Sequence, residues 1–110
     1  MRITLKNGET VDLIWSAIVL EYLEDYEGGI KQLQKDIEEQ NGNFRTFNFV
    51  IYSMLSAVYP KRLSYREAVG LVDINDYDKI ITFIVQNVSA LKSTNIIKKT
   101  SEGTEKFHII

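Results

Sequence analysis

RTFNFVIYSMLSAVYPK, residues 45–61, is the stretch on which the fold of this chain turns. At about 100° per residue, Phe44, Phe47, Ile51, Met54, Leu55 and Val58 project onto one stripe of a helix. The chain's only proline, Pro60, ends that helix. The stripe is a core face. Phe49 points almost directly away from it, and Tyr52 and Tyr59 sit on its flank, where a short soluble protein usually places lysine or glutamate. Such a helix needs cover on a second side.

Upstream, IKQLQKDIEE carries Ile30, Leu33 and Ile37 on one side and charged or amide residues elsewhere, the pattern of a surface helix. Before it, Ser16 can cap a helix running to about residue 27, with a wide apolar face that includes Ile18, Leu20 and Tyr26 and an acidic face of Glu21, Glu24 and Asp25. Gly28-Gly29 is expected to stop that helix, because glycine enters the left-handed region without a Cβ penalty. RITLKNGETVDLIW alternates around Asn7-Gly8, which predicts a β-hairpin over residues 2–14 closed by a type I′ turn. Trp15, at the junction, is expected to staple the hairpin onto the helices.

Downstream, Ser64 and Glu67 form the S-x-x-E capping box of a short helix to about residue 72. Asp73, Asn75 and Asp76 are placed to cap the next helix, over about residues 77–91. Its broad buried face is expected to hold Tyr77, Ile80, Ile81, Ile84, Val85, Val88 and Leu91, with Phe83 and Ala90 outside it. Two apolar ends then flank a polar Ser101-Glu102-Gly103 turn: Ile96-Ile97, and Phe107 with Ile109-Ile110. The predicted fold is mainly α. A small domain of about five helices with an N-terminal hairpin occupies residues 1–92, and a C-terminal arm or hairpin occupies residues 93–110.

A chain of 110 residues is enough for one domain with one modest core. Thirteen basic against fifteen acidic residues, with no concentrated basic block, disfavour a nucleic-acid partner. The absence of cysteine removes disulfide and thiolate chemistry and fits a reducing compartment. No apolar run reaches the roughly 18 residues of a membrane span, and MRITLKNGE has no apolar signal-peptide core, so a cytosolic protein is expected.

Catalytic chemistry finds little to work with. The single histidine, His108, lies in the C-terminal arm, a poor place to hold a base in register with a substrate. Asp73, Asn75, Asp76 and Asp78 resemble a calcium loop only briefly. The glycine position of that loop would be Asp78 and its bidentate glutamate position Ile84, so helix capping is the better reading. YPKRLSYR, residues 59–66, interleaves aromatic and basic residues, yet three cations are too few to grip a nucleic acid. No enzyme, cofactor or metal site is expected.

What remains is apolar surface. Phe49 and Phe83 both project off the main stripes of their helices. Either the long helix is central, with neighbours on both sides, or these rings belong to a surface that self-associates or holds an apolar client. The candidate protein-binding residues are Phe49, Tyr52, Tyr59, Phe83, Ile96, Ile97 and Phe107.

The order of elements over about residues 1–91 resembles the tail assembly chaperones of long-tailed phages of Gram-positive bacteria. The pieces that carry the likeness are Ile3-Thr4-Leu5, Asn7-Gly8, Gly28-Gly29 and Glu67-Ala68-Val69. The resemblance implies a small helical protein of the host cytoplasm that binds the tape measure protein and keeps it extended and soluble until tail-tube subunits polymerise around it. It also implies a homo-oligomeric coat, a ring or spiral of many copies, with no cofactor and no catalysis. The competing expectation is a small cytosolic helical regulator or adaptor, such as an antirepressor, that binds one folded partner.

Overall fold

The computed structural model describes residues 1–39 and 43–93, the side chains of residues 92 and 93 excepted. Two short strands, β1 (Arg2–Thr4) and β2 (Thr10–Asp12), precede five helices: α1 (Ala17–Leu23), α2 (Gly29–Glu38), α3 (Phe44–Val58), α4 (Tyr65–Gly70) and α5 (Tyr77–Ser93). A single 3-10 turn, Ile74–Asp76, leads into α5. The mainly helical domain with an N-terminal hairpin is the fold read from the sequence. The expected C-terminal arm, with Ile96, Ile97, Phe107 and His108, lies outside the described residues.

The hairpin differs from expectation in its turn. Arg2 pairs with Asp12, Ile3 with Val11 and Thr4 with Thr10. That register leaves Lys6, Asn7 and Gly8 as a three-residue loop, closed by Leu5 N–H to Glu9 O at 2.7 Å and Gly8 N–H to Leu5 O at 2.9 Å. Gly8 takes the one left-handed position, at φ +87°. A two-residue type I′ turn on Asn7-Gly8 would instead have set Ile3 opposite Asp12. The observed register gathers Ile3, Leu5 and Leu13, all buried, with half-buried Met1 and Val11 on one face, and a one-residue slip would break that set. Side-chain burial has overruled the turn dipeptide.

The α1 helix ends earlier than expected, at Leu23. Its chain continues through tight i−3 hydrogen bonds from the amides of Glu24, Asp25 and Tyr26. Ser16 occupies the N-cap position without a side-chain hydrogen bond. Gly28 and Gly29, at φ +92° and +81°, start α2 rather than stopping α1. A Cβ on Gly28 would come within 2.7 Å of the Gln32 side chain, so only glycine allows that approach. Along α2 the buried residues are Ile30, Leu33 and Ile37, as the sequence pattern required.

The long helix α3 is capped by Asn43, whose Oδ1 accepts from the Thr46 amide at 3.0 Å. It ends where Tyr59, ahead of Pro60, turns extended at ψ 137°. It is central, packed against α1, α2, α4 and α5. The buried residues Thr46, Val50, Ile51, Ser53, Met54 and Leu55 sweep an arc of about 200°. Ser53, fully buried, returns its hydroxyl to Phe49 O at 2.9 Å. One contiguous core joins these residues to Val19 and Leu23 of α1, the α2 stripe, the buried hairpin face, and Ile80, Ile84, Val88 and Leu91 of α5.

Three side chains depart from their expected faces. Phe44, assigned to the core stripe, is 72% exposed, because it faces the open concavity beside Ile74 and Tyr77, while Thr46 in the same first turn faces the α1–α2 turn and is buried. On α5 the buried face is rotated toward Phe83, which packs half-buried against the core, and away from Val85, which is 39% exposed. The capping box of α4 is complete, with Glu67 N–H to Ser64 Oγ at 3.1 Å and Ser64 N–H to Glu67 Oε1 at 3.0 Å. Trp15 packs against the core as expected, although its indole N–H is sequestered without an acceptor among the described residues.

Candidate functional site

The ring of Phe49 is half-buried rather than bare. Tyr26, from the turn between α1 and α2, meets it edge-on with centroids 5.4 Å apart. Tyr52 lies 6.3 Å away on the same helix, and in turn contacts Tyr22 of α1 at 6.5 Å and Tyr65 of α4 at 5.8 Å. Five rings from three helices and a turn therefore close the side of α3 that the sequence left uncovered. Such edge-to-face pairs hold the bundle together through both area and ring quadrupoles.

Beside these rings is a cleft of about 680 Å³ between the α1–α2 turn, α2, the start of α3 and Tyr65. Its polar floor is built from three elements. The Tyr26 hydroxyl donates to Asp36 Oδ2 at 2.6 Å, Gln32 Nε2 donates to Asp36 Oδ1 at 2.8 Å, and Thr46 Oγ1 lies 3.2 Å from the Tyr26 oxygen. Gln32 and Asp36 are one helical turn apart, so α2 itself aligns that pair. The Tyr26 and Gln32 hydrogen bonds hold the Asp36 carboxyl below its ordinary range. Burial, and then the bond to Asp36, pushes the Tyr26 hydroxyl up.

A second concavity, about 300 Å³, opens at the other edge of the same helix end and is almost wholly apolar. Phe44, Val69, Val72, Ile74 and Tyr77 line it. Ile74 is 74% exposed, and with Phe44 it leaves two large apolar side chains facing solvent side by side. Tyr77 stacks obliquely on Phe44 at 5.7 Å and anchors its hydroxyl on Asn48 Oδ1 at 2.8 Å. A further shallow hollow lies along α1 at Ile18, itself 52% exposed and rimmed by Glu21, Glu24 and Asp25.

The sequence-derived candidates separate accordingly. Phe49 and Tyr52 belong to the aromatic closure of α3, half-buried. Tyr59 is engaged by the hairpin tip, donating to Glu9 Oε1 at 2.8 Å and accepting from Asn7 Nδ2 at 3.2 Å. The bond to Glu9 pushes its hydroxyl up. Phe83 packs on the core, while Ile96, Ile97 and Phe107 fall outside the described residues. The residues that face solvent most openly, Phe44 and Ile74, were not among the candidates. Ile74 carried a signal: a large apolar residue set inside the polar capping run Asp73, Asn75, Asp76 has no reason to be there unless it packs or docks.

The acidic run after α4 serves the backbone. Asp73 accepts from the Asn75 amide at 2.9 Å, and Asp76 pairs with Lys79 at 3.5 Å. Among the described residues no three histidine, cysteine, aspartate or glutamate side chains gather as metal ligands would. No described helix is long and apolar enough to cross a membrane. Compared with known proteins, the chain matches no family model, no curated protein and no solved structure at a significant level.

Proposed function

We propose that this chain is a binding protein without catalytic activity. In our reading it is a tail assembly chaperone that holds the tape measure protein in the host cytoplasm until the tail tube covers it. The reading rests on the likeness of the element order over about residues 1–91 to that family. The observation that carries the reading is the apolar concavity between Phe44 and Ile74, two large side chains about three-quarters exposed at one end of the bundle. Exposed apolar patches of this kind mark contacts.

A tape measure protein is a long helical chain whose apolar faces aggregate if left bare. An apolar hollow backed by the Phe44–Tyr77 pair suits the anchor residues of such a helix face. Each contact of this size is weak. Self-association along the client multiplies weak contacts by effective concentration, and tube subunits that bind the client more tightly release the coat by mass action.

Co-expression with tape measure fragments followed by pull-down tests the reading. Phe44→Ser together with Ile74→Ser is expected to abolish capture and leave the melting temperature within a few degrees of the parent. Stoichiometric capture of one folded regulator, with no affinity for tape measure fragments at any length, would replace the chaperone reading with that of an adaptor.

A further inference from the structure

The cleft floored by Asp36 is separate from the apolar concavity, and its chemistry is different. Both Asp36 oxygens are held by neutral donors, Tyr26 and Gln32, so the carboxylate is fixed in place, and the neighbouring Lys35 acts on its charge only through space. No lysine or arginine lies within ion-pair distance of it among the described residues. Asp25 and Glu27 add negative charge at the rim, and Arg45 is the one cation among the described residues that line the cleft. Its apolar walls are the rings of Tyr26, Phe49 and Tyr65. Ring faces carry negative electrostatic potential and attract a cation placed against them.

We propose that this cleft is a receptor for a cationic side chain, a guanidinium or ammonium at the end of a flexible stem, presented by a partner protein. The volume, about 680 Å³, falls in the range of preformed ligand sites and exceeds what one arginine head requires, so the stem enters as well. A planar guanidinium can lie against a ring face while donating to the outer lone pairs of Asp36. Gly28 contributes by omission. Its missing Cβ lets the Gln32 side chain pass against the turn, and that passage orients Gln32 onto Asp36.

The inference is independent of the chaperone reading, and its test uses no phage protein. N-acetyl-arginine amide is titrated into the full-length protein while the backbone and ring resonances are followed by NMR. Parallel titrations use the uncharged isostere N-acetyl-citrulline amide and the anionic N-acetyl-glutamate amide. Saturable shifts confined to Gln32, Asp36, Phe49 and Tyr65 are expected with the arginine probe. Binding should be about tenfold weaker or more with citrulline, and about tenfold weaker in Asp36→Asn.

Tyr65→Ala, at the most exposed ring of the aromatic closure, removes one edge contact to Tyr52 and is expected to weaken the arginine probe severalfold while lowering the melting temperature by only a few degrees. It therefore keeps the test decisive even if Asp36→Asn perturbs the fold. Equal binding of citrulline overturns the proposal, as does an unsaturable response or undiminished binding in Tyr65→Ala. Preferential binding of the glutamate probe overturns it too, and would assign the cleft to Arg45 instead.

Discussion

Phe44 and Phe49 lie five residues apart on one helix and meet opposite fates. Phe49 stands away from the main stripe, yet Tyr26 and Tyr52 enclose it. Phe44 stands on the stripe and is 72% exposed, with the oblique ring of Tyr77 on one side and the open concavity shared with Ile74 on the other. Angular position along a helix therefore did not decide burial here. What decided it was which element lies beside each face: the α1–α2 turn covers the side of α3 that carries Thr46 and Phe49, whereas Tyr77 and Ile74 beside Phe44 leave its ring open.

Substitutions can break or sharpen this contrast. Ile51→Ala, in the arc shared by both regions, is expected to cost about 2–5 kcal/mol through lost burial and a cavity. That is a large part of the roughly 5–15 kcal/mol available to a domain, and urea denaturation would measure it. Phe49→Ala should cost about 2 kcal/mol, less than a fully buried phenylalanine, whereas Phe44→Ala should stay within about 0.5 kcal/mol. Equal costs at the two positions would abolish the distinction drawn between them. Ser64→Ala, which removes half of the capping box of the helix that carries Tyr65, should cost about 1 kcal/mol.

The smallest expected effect is one of pH. Asp36 is held below its ordinary range by the Tyr26 hydroxyl and Gln32, and Glu67 by the Ser64 amide and hydroxyl. Their contributions are complete above the ordinary carboxylate range of about 4 and are lost as pH falls below it toward the lowered folded values. Melts between pH 6 and pH 3 should show a smaller acid loss in Asp36→Asn than in the parent. Phe44→Ala should leave that acid loss unchanged.

Much of the architecture was legible because local chemistry specified it. The α2 stripe of Ile30, Leu33 and Ile37, the Ser64–Glu67 box, the Asp73 cap and the stop at Pro60 each follow from spacing or backbone restriction within a few residues. The misjudged features depend on distant partners. Asn7-Gly8 favoured a two-residue turn until the burial of Ile3, Leu5 and Leu13 imposed another register. Gly28-Gly29 read as a stop for α1, and only the packing of Gln32 against Gly28 reveals it as the start of α2. Tyr26, Asp36 and Thr46 belong to three separate elements, so no periodicity could have brought the floor of the cleft into view. The rotation of α5 toward Phe83 likewise depends on where α2 and α3 approach it.

The tip of the hairpin is tied to chain made much later: the Lys6 amide bonds Leu71 O at 2.8 Å, and Asn7 and Glu9 hold the Tyr59 hydroxyl. With strands of only three residues each, the hairpin gains little from its own pairing. At a synthesis rate of about 5–20 residues per second, the hairpin waits several seconds for the later residues that secure it. The hairpin should therefore be the last part of this domain to become protected, and the apolar face of Ile3, Leu5 and Leu13 the surface most exposed to capture while the chain is still being made.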